Sequence, residues 1–272
     1  MTNPFTPIDA TRPHAARVYD YLLGGKDNFA VDRAAADALL AEVRSAEAAA
    51  RANRRFMQRA VGLLAGQGVR QFLDLGTGLP TSPNVHEVAQ RYQSDARVVY
   101  VDNDPLVLAH ARALLTSHPD GVTAYVGADV TDVAAVLDDP DLATTLDFGR
   151  PVAVLAIAVA HFLPGDTAHR TMDRYREALS PGSYVAVSHF TTDLLDDAAA
   201  RRAREAAARM RTGVVPRTRA QFADFFAGTR LLDPGIVPVH RWRPDEAETH
   251  AQAGAGLTDA QVNMWGAVGR CD

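Results

Sequence analysis

Apolar positions recur along the chain with two different periods, and the change between them falls near residue 68. Before that point the spacing is helical. Ala15–Leu23 and Val31–Arg44 carry mixed helical patterns on either side of a polar turn, Gly24-Gly25-Lys26-Asp27-Asn28, and Ala46–Ala65 reads as a longer alanine-rich helix. Beyond it, short apolar runs alternate with helical stretches. The runs are Phe72–Leu75, Val98–Val101, Val122–Val126, Val152–Ile157 and Tyr184–Ser188. Strand–helix alternation of this kind predicts an α/β fold with a doubly wound, mostly parallel sheet. The continuous apolar stretch Val152–Ala160 is too short to span a bilayer and suits a central strand covered on both faces.

Local signals place the helices between these strands. Ser82-Pro83 offers an N-cap and a proline at the first helical position for a helix over Asn84–Tyr92, and Asp104-Pro105 repeats the device for Leu106–Leu115. Further helices are expected near Asp132–Leu137, over Thr167–Leu179 up to Pro181-Gly182, and over Asp193–Met210. Thr218-Arg219-Ala220-Gln221 reads as a capping box opening Phe222–Phe226. Gly235–Trp242 and Asn263–Gly269 then read as the last two strands. The organisation expected is a helical N-terminal extension over 1–68 and one compact sheet domain over 69–272.

The chemistry concentrates where the first two strands end. QFLDLGTGLPT (Gln71–Thr81) runs a strand into a Gly76-x-Gly78 turn, and VVYVDNDP (Val98–Pro105) ends its strand in acidic residues. Glycines let backbone approach a ligand, and a carboxylate at the next strand's tip, Asp102, accepts two ribose hydroxyls. That arrangement binds an adenosine-containing cofactor. A dinucleotide fingerprint requires a third glycine where this chain has Thr81, and Leu79-Pro80 stiffens the turn. Asp74, inside the motif, would repel a pyrophosphate but suits a ligand with an amino group. S-adenosylmethionine has adenosine, a sulfonium and an amino-acid end, and no phosphate. The cofactor-site candidates are Asp74, Gly76, Thr77, Gly78, Asp102 and Asn103, followed by Asp129 and Val130 after the third strand and Ala156 at the end of the fourth.

These segments, with YDYLLGGKDNF (Tyr19–Phe29) and the closing stretch Gly235–Pro244, resemble a family of actinobacterial S-adenosylmethionine-dependent methyltransferases, formerly a domain of unknown function. The resemblance runs over essentially the whole chain. It implies the class I methyltransferase (Rossmann-like) fold, with seven strands and an antiparallel last strand, and S-adenosylmethionine as cofactor. It leaves the acceptor open. In the resembled fold, N-terminal helices often close over the cofactor, so the 1–68 extension is expected to act as a lid.

Composition narrows the remaining classes. With 272 residues, 47% of them hydrophobic, the chain can bury one large core. MTNPFTPIDATRPHAAR lacks the apolar segment of a secretory leader, so a cytoplasmic protein without membrane attachment is expected. Cys271 is the single cysteine and the nine histidines show no metal-ligand spacing, so no metal is expected. A net charge of −5 argues against general nucleic-acid binding, and the basic run Arg201–Arg211 reads as a solvated helix face. Of 28 basic residues all but Lys26 are arginine, which suggests a GC-rich bacterial genome.

Methyl transfer demands alignment and exclusion of water more than a catalytic triad, and no triad is present. The catalytic candidates are His161, which leaves the fourth strand beside the crevice, together with Lys26 and Tyr21 in the expected lid. His161 with Phe162 would wall the acceptor space, and His189 is a weaker candidate. Lys26 is expected to hold an anionic group, either on the acceptor or on a neighbouring acidic residue. Trp242 and Tyr184 read as core. The function expected is methyl transfer to a small-molecule O or N acceptor, with a silent S-adenosylmethionine-binding regulator and a nicotinamide-dependent oxidoreductase as rivals.

Overall fold

The computed structural model describes residues 9–209, 213–245 and 256–272. The first eight residues, part of the stretch read for a leader, and Met210 and Arg211, at the end of the basic run, lie outside the described residues. At the centre, β1 (Gln71–Leu75), β2 (Arg97–Asp102), β3 (Val122–Gly127), β4 (Ala153–Ile157) and β5 (Tyr184–Phe190) run parallel in the order β3-β2-β1-β4-β5. Three further strands complete the sheet: β6 (Thr229–Leu231), β7 (Val237–Pro238) and β8 (Met264–Cys271). β8 runs antiparallel beside β5, from Tyr184 opposite Arg270 to Phe190 opposite Met264, and pairs on its far side with β6 and β7. The strand order reverses between β1 and β4, which opens a crevice at the strands' C-terminal ends.

The class I architecture is therefore as expected, including the antiparallel last strand, with eight strands among the described residues in place of the seven expected because the short β7 pairs beside β6 on β8. The penultimate strand is corrected. Gly235–Trp242 contributes only the two-residue β7, because Pro238 has no N–H to extend a ladder and Val239–Arg241 closes into a 3-10 turn. The strand that borders β8 along the sheet path is β6, whose Thr-Arg-Leu is too short and too exposed to carry an alternation signal.

Helices α1 (Ala15–Leu22), α2 (Ala30–Glu42) and α3 (Ala46–Gly66) form over the three N-terminal segments. Their packing divides them differently from a boundary at residue 68. Phe56, Met57, Ala60, Val61 and Leu64 of α3 are buried against Phe72, Val98 and Trp242 in the core on one sheet face. Trp242, fully buried, meets Phe56 edge-on at 5.3 Å. Only α1 and α2 form a separate cluster, Val18, Leu22 and Ala36, seated on Ala46 and Ala50 at the start of α3.

The helix after β1, α4, spans Val85–Ala89 and is capped by Asn84 with Glu87 closing the box, so the expected Ser82-Pro83 start is displaced by two residues. The cause is local. Arg54 donates to the carbonyls of Thr81 and Pro83, and Asn84 accepts from the Thr81 amide, which holds 81–84 as a turn. Asp104-Pro105 starts α5 (Pro105–Leu114) as expected, with Asp104 accepting from the Leu106 amide. After α6 (Val133–Leu137), Asp139-Pro140 repeats that device for α7 (Pro140–Thr145), a helix the sequence reading passed over. α8 (Thr167–Glu177), α9 (Asp197–Arg209) and α10 (Arg219–Ala223), with its Thr218–Gln221 capping box, complete the layers. No helix among the described residues is long and apolar enough to cross a membrane.

Candidate functional site

The Gly76–Gly78 loop folds back onto the end of β2. The amides of Gly76 and Thr77 both donate to the Val101 carbonyl, at 2.9 and 3.1 Å, and the Thr77 hydroxyl donates to the Asp74 carbonyl at 3.1 Å. Both glycines hold left-handed φ, 65° and 69°. They do so for different reasons. A Cβ on Gly76 would stand 2.4 Å from Cγ2 of Val159, which leaves β4, whereas a Cβ on Gly78 would meet nothing within 4 Å. Gly76 lets two strand ends approach; Gly78 lines open space.

Asp102 closes the loop against β2. Its Oδ2 accepts from the Gly78 amide and its Oδ1 from the Asp104 amide, both at 2.9 Å, and burial raises its pKa. Each oxygen retains a second lone pair, the pair of acceptors that adjacent ribose hydroxyls require. Asp74 is 7% exposed, and its carboxylate makes no hydrogen bond among the described residues. Burial pushes its pKa up to about 7, with Arg54 opposing the rise and Asp102 adding to it. A buried carboxylate without a donor is costly, and an incoming ammonium group would relieve that cost.

On the other side of β2, Asp129 is exposed. Its Oδ1 accepts from the amide and hydroxyl of Thr131 at 2.8 and 2.7 Å, which lowers its pKa, while Asn103 reaches its Oδ2 at 3.5 Å. Val130 is fixed by its carbonyl, which accepts from the Tyr175 hydroxyl at 3.0 Å. Asp74, Gly76, Thr77, Gly78, Asp102, Asn103, Asp129 and Val130 thus gather along the strand ends. Ala156 does not join them: its side chain is fully buried inside the sheet core. Past the end of β4, Ala158 is held at φ 57° with its amide donating to the Ser188 hydroxyl at 2.9 Å, and the chain leaves the sheet there.

The β4–β5 side carries a buried cluster that the sequence reading saw only in part. Arg217 donates to the carbonyls of Ala160, Leu163 and Gly165 at 3.1, 2.8 and 2.8 Å, and to Nε2 of His189 at 2.8 Å. His189 is therefore neutral, with its Nδ1 proton donated to the Phe190 carbonyl at 2.7 Å. His161 accepts from the Phe190 amide on Nδ1 at 3.5 Å, so its proton sits on Nε2. Burial, aided by the Arg217 guanidinium, drops its pKa to about 3. His161 consequently offers a hydrogen-bond donor rather than an effective base at neutral pH.

The expected lid residues take other positions. The Tyr21 hydroxyl donates to Asp37 of α2 at 3.1 Å, within the α1–α2 pair. Lys26 is exposed and forms no ion pair among the described residues, so a neighbouring acid is not its partner. Its turn instead wraps the Asp20 carboxylate, which accepts from the Asp27 amide at 3.0 Å and from the Asn28 side chain at 2.8 Å. What seats α1 on the site is Arg17, which the sequence reading missed. It is 4% exposed and lies 3.7 Å from Asp32 and 3.4 Å from Asp104, the cap that follows Asp102. His14 joins Asp104 at 3.1 Å, and Ala16 and Phe29 pack on Leu79, Leu106 and Val107.

These groups fit an adenosine ligand with an ammonium end. Comparison with known proteins agrees. The family model described as S-adenosyl methyltransferase matches residues 1–272. A solved structure of a DUF574 family protein from Streptomyces avermitilis is 47% identical, with 98% of this chain and 100% of that one covered and a TM-score of 0.91. A solved structure of a "putative methyltransferase" from Thermobifida fusca is 39% identical, with 100% of both chains covered and a TM-score of 0.87. A Mycobacterium bovis protein named "Putative S-adenosyl-L-methionine-dependent methyltransferase" is 32% identical over 139 residues. That match covers 50% of this chain and 42% of the mycobacterial one.

Proposed function

This chain belongs to the S-adenosyl methyltransferase family, and on that premise we propose that it transfers a methyl group from S-adenosylmethionine to an oxygen or nitrogen of a small-molecule acceptor. The observation that carries the reading is Asp102, locked at the end of β2 to the Gly78 amide of the loop that leaves β1. Asp102 would hold the ribose hydroxyls, and Asp74 the amino group. Asp129, with Asn103 and the Val130 amide, would edge the adenine. Bound there, S-adenosylmethionine supplies a methyl group already activated by its sulfonium.

The protein's own contribution is alignment and exclusion of water. α1 and α2 would act as the lid, anchored by Arg17 and His14 on Asp104, two residues after Asp102. His161 and Phe162 form the wall on the β4 side, with His161 as a neutral donor. Arg217 holds that wall by gripping the 160–165 backbone.

The test is a binding comparison followed by a transfer assay. The purified chain is expected to bind S-adenosylmethionine and S-adenosylhomocysteine and to bind NAD far more weakly. Methyl-labelled cofactor incubated with bacterial metabolite extract should then lose its label to a small molecule. Tighter binding of NAD would favour an oxidoreductase. Cofactor binding with no label transfer would favour a silent regulator.

A further inference from the structure

We propose that the acceptor carries an oxyanion group, a carboxylate or a phosphate, received by an arginine-lined cleft between the lid and the exit of the glycine loop. The cleft holds about 380 Å³. One wall is a single face of α3: Arg51, Arg54, Arg55 and Gln58, at i, i+3, i+4 and i+7. Leu23, just past α1, and Thr81 and Ser82, just past Gly78, close the other sides. The inference rests on the methyltransferase reading above.

Three guanidiniums share this small space with little to neutralise them. Arg51 meets Glu47 at 3.4 Å on the outer rim, where both are about half exposed. Arg54 spends only Nη2, on the Thr81 and Pro83 carbonyls, which leaves Nε and Nη1 unengaged among the described residues. Arg55 is half-buried and has no hydrogen bond or ion pair among the described residues. Like charges gathered along one wall of a cleft repel one another unless an anion joins them. In a chain of net charge −5, the cleft is a local positive focus. Guanidinium forks match carboxylate and phosphate oxygens bidentately.

Geometry assigns this anion to the acceptor rather than to the cofactor. Arg54 is the inner member, the guanidinium that acts on Asp74, and so it faces the amino-acid end of the cofactor. The stripe from Arg51 to Gln58 extends about 10 Å along α3, at 1.5 Å per residue. A single amino-acid carboxylate spans much less. Arg55, with Arg51 at the rim, is left for a second anion beside the site.

The experiment uses the full chain saturated with S-adenosylhomocysteine and titrated with malonate or inorganic phosphate at constant ionic strength. Wild type is expected to bind one anion saturably. Arg55→Gln should weaken that binding about tenfold or more, the loss for a hydrogen bond to a charged group. Arg55→Lys, which keeps the charge without the fork, should fall between them. Circular dichroism checks that the variants are folded, and Arg54 is left intact because it holds the 81–83 turn. Affinity for S-adenosylhomocysteine should be unchanged in Arg55→Gln. Absent anion binding, or binding indifferent to Arg55, overturns the inference. So does an Arg55→Gln chain that weakens S-adenosylhomocysteine but not 5′-methylthioadenosine, which lacks the carboxylate: Arg55 would then serve the cofactor. Failure of wild type to bind S-adenosylhomocysteine overturns the methyltransferase reading and this inference with it.

Discussion

Arg17 and Arg217 are equally hidden, each 4% exposed, yet the protein surrounds them in opposite ways. Arg17 sits between the carboxylates of Asp32 and Asp104, both nearly inaccessible to water. Arg217 has no acidic side chain within ion-pair distance among the described residues and is met by three carbonyls and a neutral imidazole. The first is an electrostatic rivet between segments far apart in sequence, and it ties α1 and α2 to the Asp104 cap of α5. The second is a backbone brace. Uncompensated, its charge spreads to its neighbours, and both His161 and His189 are held neutral by burial with Arg217 contributing. One arginine sets where an element sits; the other braces a turn and adds to the burial that keeps two histidines neutral.

The largest effect that would sharpen the contrast comes from Arg17→Met. It leaves two buried carboxylates without their cation, so denaturant unfolding should show a loss of about 3–5 kcal/mol. Affinity for S-adenosylhomocysteine should fall as well if α1 and α2 form the proposed lid, because they lose their anchor at Asp104. An Arg17→Met chain as stable as wild type would remove the rivet.

Arg217→Met should cost less, about 1–3 kcal/mol, because it strands carbonyls but also removes a buried charge. Its clearer signature is in acid. His161 has a pKa of about 3 when folded and an ordinary imidazole pKa of about 6.5 when unfolded. The unfolded chain therefore takes up the proton first, and stability that is complete above about pH 6.5 drains away as pH falls toward 3. Arg217→Met should make that loss shallower. Equal acid sensitivity in the two chains would show that burial alone holds the histidines neutral.

Asp74 extends the comparison to a carboxylate that lacks a partner until a ligand arrives. With its pKa near 7, it must give up a proton to receive an ammonium group. Affinity for S-adenosylhomocysteine should therefore rise about tenfold per pH unit up to about pH 7 and then level off. Asp74→Asn should flatten the profile. The 5′-methylthioadenosine profile should be flat in both chains, and a slope there would place the titrating group elsewhere.

Lys26 marks the small end. Exposed and without an ion pair among the described residues, it should tolerate Lys26→Arg with a stability change of no more than about 0.5 kcal/mol. A larger loss, read by thermal unfolding, would show that the turn depends on lysine.

What was legible in the sequence was what neighbours in the chain determine. The strand–glycine–helix run at 71–81 and the Asp104-Pro105 cap are local devices, and the structure forms both. The same device at Asp139-Pro140 was present and went unread. The rivet and the arginine cleft were not legible, because their parts meet only after folding. Arg17 finds Asp104 across 87 residues, and Arg54 finds Thr81 across 27. The placement of Ala156 failed for a related reason: a strand end can be recognised from sequence, but which of its residues faces the core depends on where the chain leaves the sheet, and here that turn falls at Ala158.

The most direct measurement is calorimetric titration of S-adenosylhomocysteine into wild type and Asp102→Ala, with circular dichroism confirming that both are folded. If Asp102 holds the ribose, the variant should lose about 1.5–3 kcal/mol of binding free energy, a fall of roughly one to two orders of magnitude in affinity. Equal affinity in the two folded chains would contradict the placement of the cofactor between Gly78 and the tip of β2.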